Sequence, residues 1–322
     1  MASSTYTAGS PQLPLAGFYR RLKAWDEVAY LVTLASAVLI LSIVGLIVFE
    51  LWFSSQPTIK TFGWSFLFSS KWDPNAGKFG ALPFIYGTCV TSFLALLIAV
   101  PFGVMASIFL AELAPPRLSN VLTFLIELLA AVPSVIYGLI GIFALLPMIR
   151  AYLVPVLTGV FGFLPIFQGD FYGVSFLSAG LVLSVMVIPF IISVSREVLL
   201  AVPVDQREAA LALGTTRWET TWQIVLPNAK VGIIGSVFLA LARSLGETMA
   251  VTMVIGNTPK IAASLLAPGY SIAAVIANEF AEASGDLYIS SLIFLGLVLF
   301  GLTIVINAFA RILIVTTTKR GA

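Results

Sequence analysis

Residues 195–230 read SREVLLAVPVDQREAALALGTTRWETTWQIVLPNAK, a long polar segment between two apolar runs of membrane-spanning length. The pattern predicts a short helix, a break at Pro203, a second helix, a glycine at Gly214, a third helix and a stop at Pro227. Asp205 stands just ahead of Gln206, Arg207 and Glu208, so its side chain is expected to cap the second helix. Glu208 falls in the first turn, where the helix dipole favours an anion. Ala209, Ala210 and Ala212, with Leu211 and Leu213, give that helix small sides, and Gly214 can take φ > 0 at its C-terminus. The expectation is a helix–glycine–helix knob projecting between two spans.

Outward from the knob the chain is apolar. Of its 322 residues 59% are hydrophobic and 10% charged, where about 25% charged is usual in soluble domains. Too few polar side chains are present to cover a water-exposed surface, so the chain is read as membrane-embedded. A spanning helix needs about 20 mostly apolar residues. Six stretches meet that length, at 29–49, 82–111, 121–147, 172–194, 232–255 and 287–315. Two further apolar pieces are interrupted: 151–167 carries Pro155, Gly159, Gly162 and Pro165, and 261–277 carries Pro268-Gly269. Both are expected to be interfacial or re-entrant, because irregular backbone facing lipid leaves polar groups unpaired.

Charge orients the spans. With the N-terminus inside, eleven basic residues fall on the inner side: Arg20, Arg21, Lys23, Arg117, Arg196, Arg207, Arg217, Lys230, Arg311, Lys319 and Arg320. Five fall outside: Lys60, Lys71, Lys78, Arg150 and Lys260. That excess matches the positive-inside bias, and it places the knob and both termini in the cytoplasm. The expected layout is a flexible cytoplasmic tail over 1–28, a first span and outer loop over 29–81, a core over 82–315 with the knob at 195–231, and a cytoplasmic tail over 316–322. The outer loop holds Trp52, Trp64 and Trp72, suited to an interfacial belt. A second acidic outer segment carries Glu279, Glu282 and Asp286.

Several chemistries are excluded. The chain has no His, so it holds no His base and no His metal ligand, and its lone Cys89 can form neither an intrachain disulfide nor a thiolate zinc site. No metal site and no catalytic residue is expected. No GxxxxGK[ST] loop is present, so ATP cannot be bound in that way.

The charges at depth are the candidates for function. Arg243 and Glu247 lie 11 and 15 residues after Gly232, roughly 17 and 23 Å along a helix. Four-residue spacing would put them on one face, where they can pair. Ser244 and Thr248 flank them and could donate hydrogen bonds to an oxyanion. The Arg243 guanidinium offers bidentate donors that match a phosphate edge. Glu247 would hold Arg243 in an empty path or accept a proton-bearing phosphate oxygen. Glu127, within the predicted third span, is a possible pathway charge that could meet Arg243 or Arg217. Glu112, beside Pro115-Pro116, reads as a helix-end charge.

The knob carries a resemblance. Glu208-Ala209-Ala210, Gly214 after three residues, and Ile224-Val225-Leu226-Pro227 after nine more match the pattern EAA-x3-G-x9-I-x-L-P. This resembles the EAA loop of ABC importer permeases. The string 243–257, RSLGETMAVTMVIGN, with SREVLLAVP and REAALALGTTRWE upstream, is similar to the PstC-type permeases of high-affinity phosphate importers. The companion PstA type shares the Arg and the Gly-Glu-Thr but departs where Met249-Ala250-Val251 stand here. The likeness covers the chain from about Leu82 to its end. It implies an all-α membrane protein with six transmembrane helices in the type I ABC importer permease fold. Glu208, Ala209, Ala210, Gly214, Ile224, Leu226 and Pro227 would couple to an ATPase, and Arg243, Glu247, Ser244 and Thr248 would line the substrate path. Implied partners are a PstA-like permease, two PstB-like ATPase subunits that bind the ATP, and a PstS-like phosphate-binding protein, in a bacterial inner membrane. The rival readings are an ABC permease for phosphonate, molybdate or sulfate, and an ion-driven secondary transporter, against which the EAA loop weighs.

Overall fold

The computed structural model describes residues 15–319, and the surroundings of side chains over 27–312. The chain divides into two units, the first ending at Phe53 and the second starting at Ser54. The first is described by α1 (Leu15–Ser54). This helix begins well upstream of the predicted span at 29, because residues 15–28 contain no proline to stop it. The tail expected over 1–28 is therefore helical from Leu15, and residues 1–14 lie outside the described residues. Lys319 ends the last helix, so most of the expected C-terminal tail is helical too, and 320–322 lie outside the described residues.

The second unit runs through α2 (Gln56–Phe62), α3 (Ser65–Phe68), α4 (Leu82–Ile108) and α5 (Pro116–Ala130). It continues with α6 (Ser134–Ile140), α7 (Leu146–Met148), α8 (Val154–Phe161) and α9 (Phe176–Leu200), then α10 (Val204–Ala212), α11 (Arg217–Thr220), α12 (Leu226–Leu245), α13 (Met249–Ile255), α14 (Ile272–Glu279) and α15 (Asp286–Lys319). Among the described residues the only β pairing is one isolated bridge, Asp73 to Lys78. Among the described residues six helices are long and apolar enough to cross a membrane: Glu27–Ser54, Leu82–Leu113, Ser134–Phe161, Phe176–Leu200, Arg217–Leu245 and Asp286–Ile312. The number agrees with the sequence reading.

The third span does not lie where the sequence placed it. It is Ser134–Phe161 and not 121–147, because the chain breaks before Pro133, leaving α5 as a separate helix. The stretch 151–161, expected to be interfacial on account of Pro155, is the end of that span. Arg150 accordingly sits within a spanning helix and not in a loop. What admits the prolines is a π turn. Leu146, Val154 and Leu226 each stand just before a proline inside a span, and each donates its N–H five residues back, to Gly141, Ile149 and Thr221, whereas at Pro115 the same turn, Ala114 to Phe109, ends the helix, Ala114 being extended at ψ 141°. Proline lacks an N–H and its ring presses on the carbonyl four residues earlier. Widening the turn by one residue relieves that clash while keeping the neighbouring bond. Pro227, expected to stop a helix, thus lies inside a continuous run from Arg217 to Leu245.

Two thirds of the most apolar stretch of α9 is buried, and this helix is the axis of the core. Leu183, Met186, Val187 and Ile191 pack against Ala95 and Ala99 of α4, Ala240 of α12, and Ala250, Val251 and Val254 of α13. Small residues on the facing helices allow the close approach that holds helices together where lipid removes the hydrophobic drive. A hydroxyl pair, Ser195 to Ser236 at 2.7 Å, joins α9 to α12.

Residues 257–271 are irregular, as the Pro268-Gly269 break predicts, and their backbone groups pair with protein. Phe176 and Leu177 donate N–H to the carbonyls of Ala267 and Leu265, and Gly269 donates to Ile255. Tyr86 donates its hydroxyl to Ala262 at 2.7 Å. Gly87 lets α4 press on this segment: a Cβ there would fall 2.0 Å from the Tyr270 carbonyl oxygen. Next to it, Trp72 stacks edge-on against Phe79 and Phe84 and donates its indole N–H to Glu279 at 2.9 Å, to which Tyr288 also donates at 2.6 Å. Trp72 is therefore packed into an outer cluster, while Trp64, 81% exposed, suits an interface.

Candidate functional site

The knob forms, with three local departures from expectation. Pro203, extended at ψ 135°, occupies the cap position of α10, and no side chain caps it; Asp205 lies inside the first turn. Gly214 has φ +87°, and its N–H donates to the Leu211 carbonyl at 2.9 Å, closing α10 as predicted. The next helix starts on a capping box that the sequence reading passed over. The Thr216 hydroxyl accepts from the Glu219 N–H, and the Glu219 carboxylate accepts from the Thr216 N–H at 2.7 Å. Lastly, the helix continues beyond Pro227.

The motif residues are partly brought together. Ala209, Ala210 and Ile224 line one groove of about 510 Å³, flanked by Leu213 and Gln223, with the Asn228 amide donating to Gln206 at 3.0 Å along its rim. Ala210 is buried, Ile224 and Leu226 are half-buried, and Glu208, Ala209, Gly214 and Pro227 are exposed. Leu213 stands 87% exposed at the tip of the knob.

Arg207 was not singled out by the sequence. Its guanidinium pairs with Glu112 Oε1 at 2.9 Å and donates to the carbonyls of Leu199 and Val202 at 2.7 and 2.5 Å. Both side chains are mostly shielded, at 17% and 10% exposure. The signal available was weak: an arginine next to Glu208, and an acid before Pro115-Pro116 whose partner lies 95 residues away.

The expected pairing of Arg243 with Glu247 does not occur. The helix ends between them, at Leu245, and the two residues never share a helical face. Arg243 occupies the last turn of α12, exposed, with its Cζ 5.6 Å from the centroid of the Phe190 ring on α9. Glu247 precedes α13 and accepts the Ala250 N–H through Oε1 at 3.2 Å. The cation thus sits at a helix C-terminus and the anion at a helix N-terminus, each at the end its charge favours. Ser244 is buried and donates to the Leu241 carbonyl at 2.8 Å, and Thr248 donates to Gly246 at 3.3 Å. In this conformation neither hydroxyl proton is turned to a ligand beside Arg243. Glu127 is exposed on α5, outside the third span, and among the described residues it pairs with neither Arg243 nor Arg217.

Known proteins place this geometry. The family model described as binding-protein-dependent transport system inner membrane component matches residues 99–315, which include the knob and the helix ends around Arg243. The chain is 45% identical over 305 residues to the phosphate transport system permease protein PstC of Mesorhizobium japonicum, covering 94% of this chain and 93% of that one. It is 46% identical to the protein of the same name in Xylella fastidiosa over 90% of both chains, and 35% identical to a probable PstC of Methanocaldococcus jannaschii over 86% and 90%. Among solved structures, a bacterial ABC transporter involved in the import of the acidic polysaccharide alginate aligns over 90% of this chain and 98% of that one, with a TM-score of 0.53 at 16% identity. That likeness concerns the fold. With six spanning helices and a family match over two thirds of its length, this multi-pass membrane protein belongs to the binding-protein-dependent transport system inner membrane components, the permeases of ABC importers.

Proposed function

We propose that the chain is the PstC-type permease subunit of an ATP-driven importer of inorganic phosphate. The observation that carries this reading is the similarity to proteins named for phosphate transport, sustained over nine tenths of both chains. The excess of basic residues on one side sets both termini and the knob in the cytoplasm. There the knob would seat in PstB-like ATPases, which bind and hydrolyse the ATP. A PstA-like permease completes the path, and a PstS-like protein delivers phosphate from outside.

Arg243 is the phosphate contact. Resting over Phe190, exposed Arg243 is held by a cation–π attraction of about 0.5–1 kcal/mol, which a bidentate, charge-assisted pair with phosphate can replace. Glu247, fixed by Ala250 through one oxygen, keeps a second to accept a hydrogen bond from the P–OH group of hydrogen phosphate. Sulfate carries no such proton at neutral pH. The test is ATP-dependent uptake of labelled phosphate by the reconstituted complex, with sulfate and molybdate as competitors. Wild-type uptake should resist both, and Arg243→Gln should abolish uptake while the complex still assembles. Uptake unchanged in Arg243→Gln would remove Arg243 from the path, and strong competition by sulfate or molybdate would reassign the substrate.

A further inference from the structure

Arg207, one residue ahead of Glu208, fastens the knob to the ends of two spans at once. One amino group of its guanidinium donates to Glu112, in the π turn that closes α4, and to the Leu199 carbonyl in the last turn of α9; the other donates to Val202 just beyond. The same π turn is fixed from its other side, where the Ser119 hydroxyl of α5 donates to the Leu110 carbonyl at 2.8 Å. The ion pair forms part of a recess of about 250 Å³, walled also by Glu208, Leu211 and Arg217, so it lies directly beneath the surface of the knob.

A buried ion pair adds little net stability, since desolvating the two charges offsets their attraction. Its mechanical consequence is larger. Three short bonds from one planar guanidinium, two to carbonyls at the end of α9 and one to the Glu112 carboxylate at the end of α4, resist displacement of Arg207 in the plane of the fork, so a shift of α10 pulls on the ends of α4 and α9. The other side-chain tie from α10, Gln206 to Asn228, is neutral and exposed.

We propose that Arg207, anchored by Glu112, is the positioning residue that converts displacement of the knob into movement of α4 and α9. This rests on reading the knob as the ATPase contact. The experiment measures phosphate uptake and ATP hydrolysis on the same vesicles holding the full reconstituted complex. Arg207→Gln and Glu112→Gln should assemble and hydrolyse ATP within about twofold of wild type, while uptake per ATP falls tenfold or more. Arg207→Lys, which keeps the charge and loses the fork, should fall between. A purely structural role would lower uptake and hydrolysis together and leave their ratio unchanged, and an unchanged ratio in both glutamine variants overturns the proposal. Should either fail to assemble, Glu112→Asp carries the test, with a threefold or greater drop in the ratio expected and an unchanged ratio again decisive against it. Glu208→Lys is measured alongside: if it uncouples and the Arg207 and Glu112 variants do not, only this proposal fails, whereas if none uncouples the knob reading fails with it.

Discussion

Gly214 offers the sharpest prediction, because its backbone and its surroundings separate two effects that usually travel together. The residue has φ +87°, and a Cβ built on it would meet no atom within 4 Å. Any loss on substitution therefore comes from the backbone and not from a clash inside the chain. An L-residue in this left-handed region costs about 1–2 kcal/mol, Asn less and β-branched residues more. At about 1.4 kcal/mol per factor of ten, alanine should lower the population of the native knob geometry by roughly 5- to 30-fold. The assay is phosphate uptake per ATP hydrolysed in reconstituted complex, with thermal unfolding as a control for assembly. The expected order is Gly, then Asn within about twofold, then Ala, then Val, and Gly214→Asp should track Asn apart from its charge. Wild-type coupling in Gly214→Val would refute the conformational role of this glycine. If Asn and Asp instead proved worse than Ala, contact with the partner, and not φ, would set the requirement.

Two further outcomes follow from the contacts around the path and the outer loop. Phe190→Leu removes the ring on which exposed Arg243 rests, worth about 0.5–1 kcal/mol at such a site; since phosphate must displace that contact, KM for phosphate should fall about two- to fivefold with kcat little changed, and Phe190→Tyr should keep the wild-type value, as read by uptake at varied phosphate. Glu279→Leu leaves the Trp72 indole and the Tyr288 hydroxyl without their shared acceptor, which costs about 1–3 kcal/mol for each shielded donor. The melting temperature of the purified protein should fall, and Glu279→Gln, which keeps an acceptor oxygen, should recover most of the loss.

Features set by near neighbours in the chain were legible in the sequence. The number of spans follows from apolar length, Gly214 from its place at a helix end, and the irregular 257–271 segment from Pro268-Gly269. A proline, by contrast, has two possible outcomes that its neighbours do not decide. Pro155 and Pro227 predict breaks, yet each is admitted by a π turn, while the chain does break ahead of Pro133. Asp205 looked like a cap because carboxylates are good caps, but Pro203 already fixes an extended backbone at the position before Val204. Glu279 of the acidic outer segment accepts from Tyr288, nine residues on, and from Trp72, 207 residues back, and the second contact has no signal in the local sequence.

The sequence by itself determined that the protein lives in a membrane, how often it crosses, and that it carries a polar helix–glycine–helix loop between two spans, because composition and short-range periodicity act through neighbouring residues. Only the tertiary structure decided the partners of the charges. Arg243 and Glu247 are four apart in the chain, but the helix ends between them and turns one to Phe190 and the other to Ala250. Arg207 and Glu112 are 95 apart and meet because α4, α9 and α10 converge at one end of the bundle. In a low-dielectric interior each charge must find a partner, and which partner it finds is fixed by where helices stop.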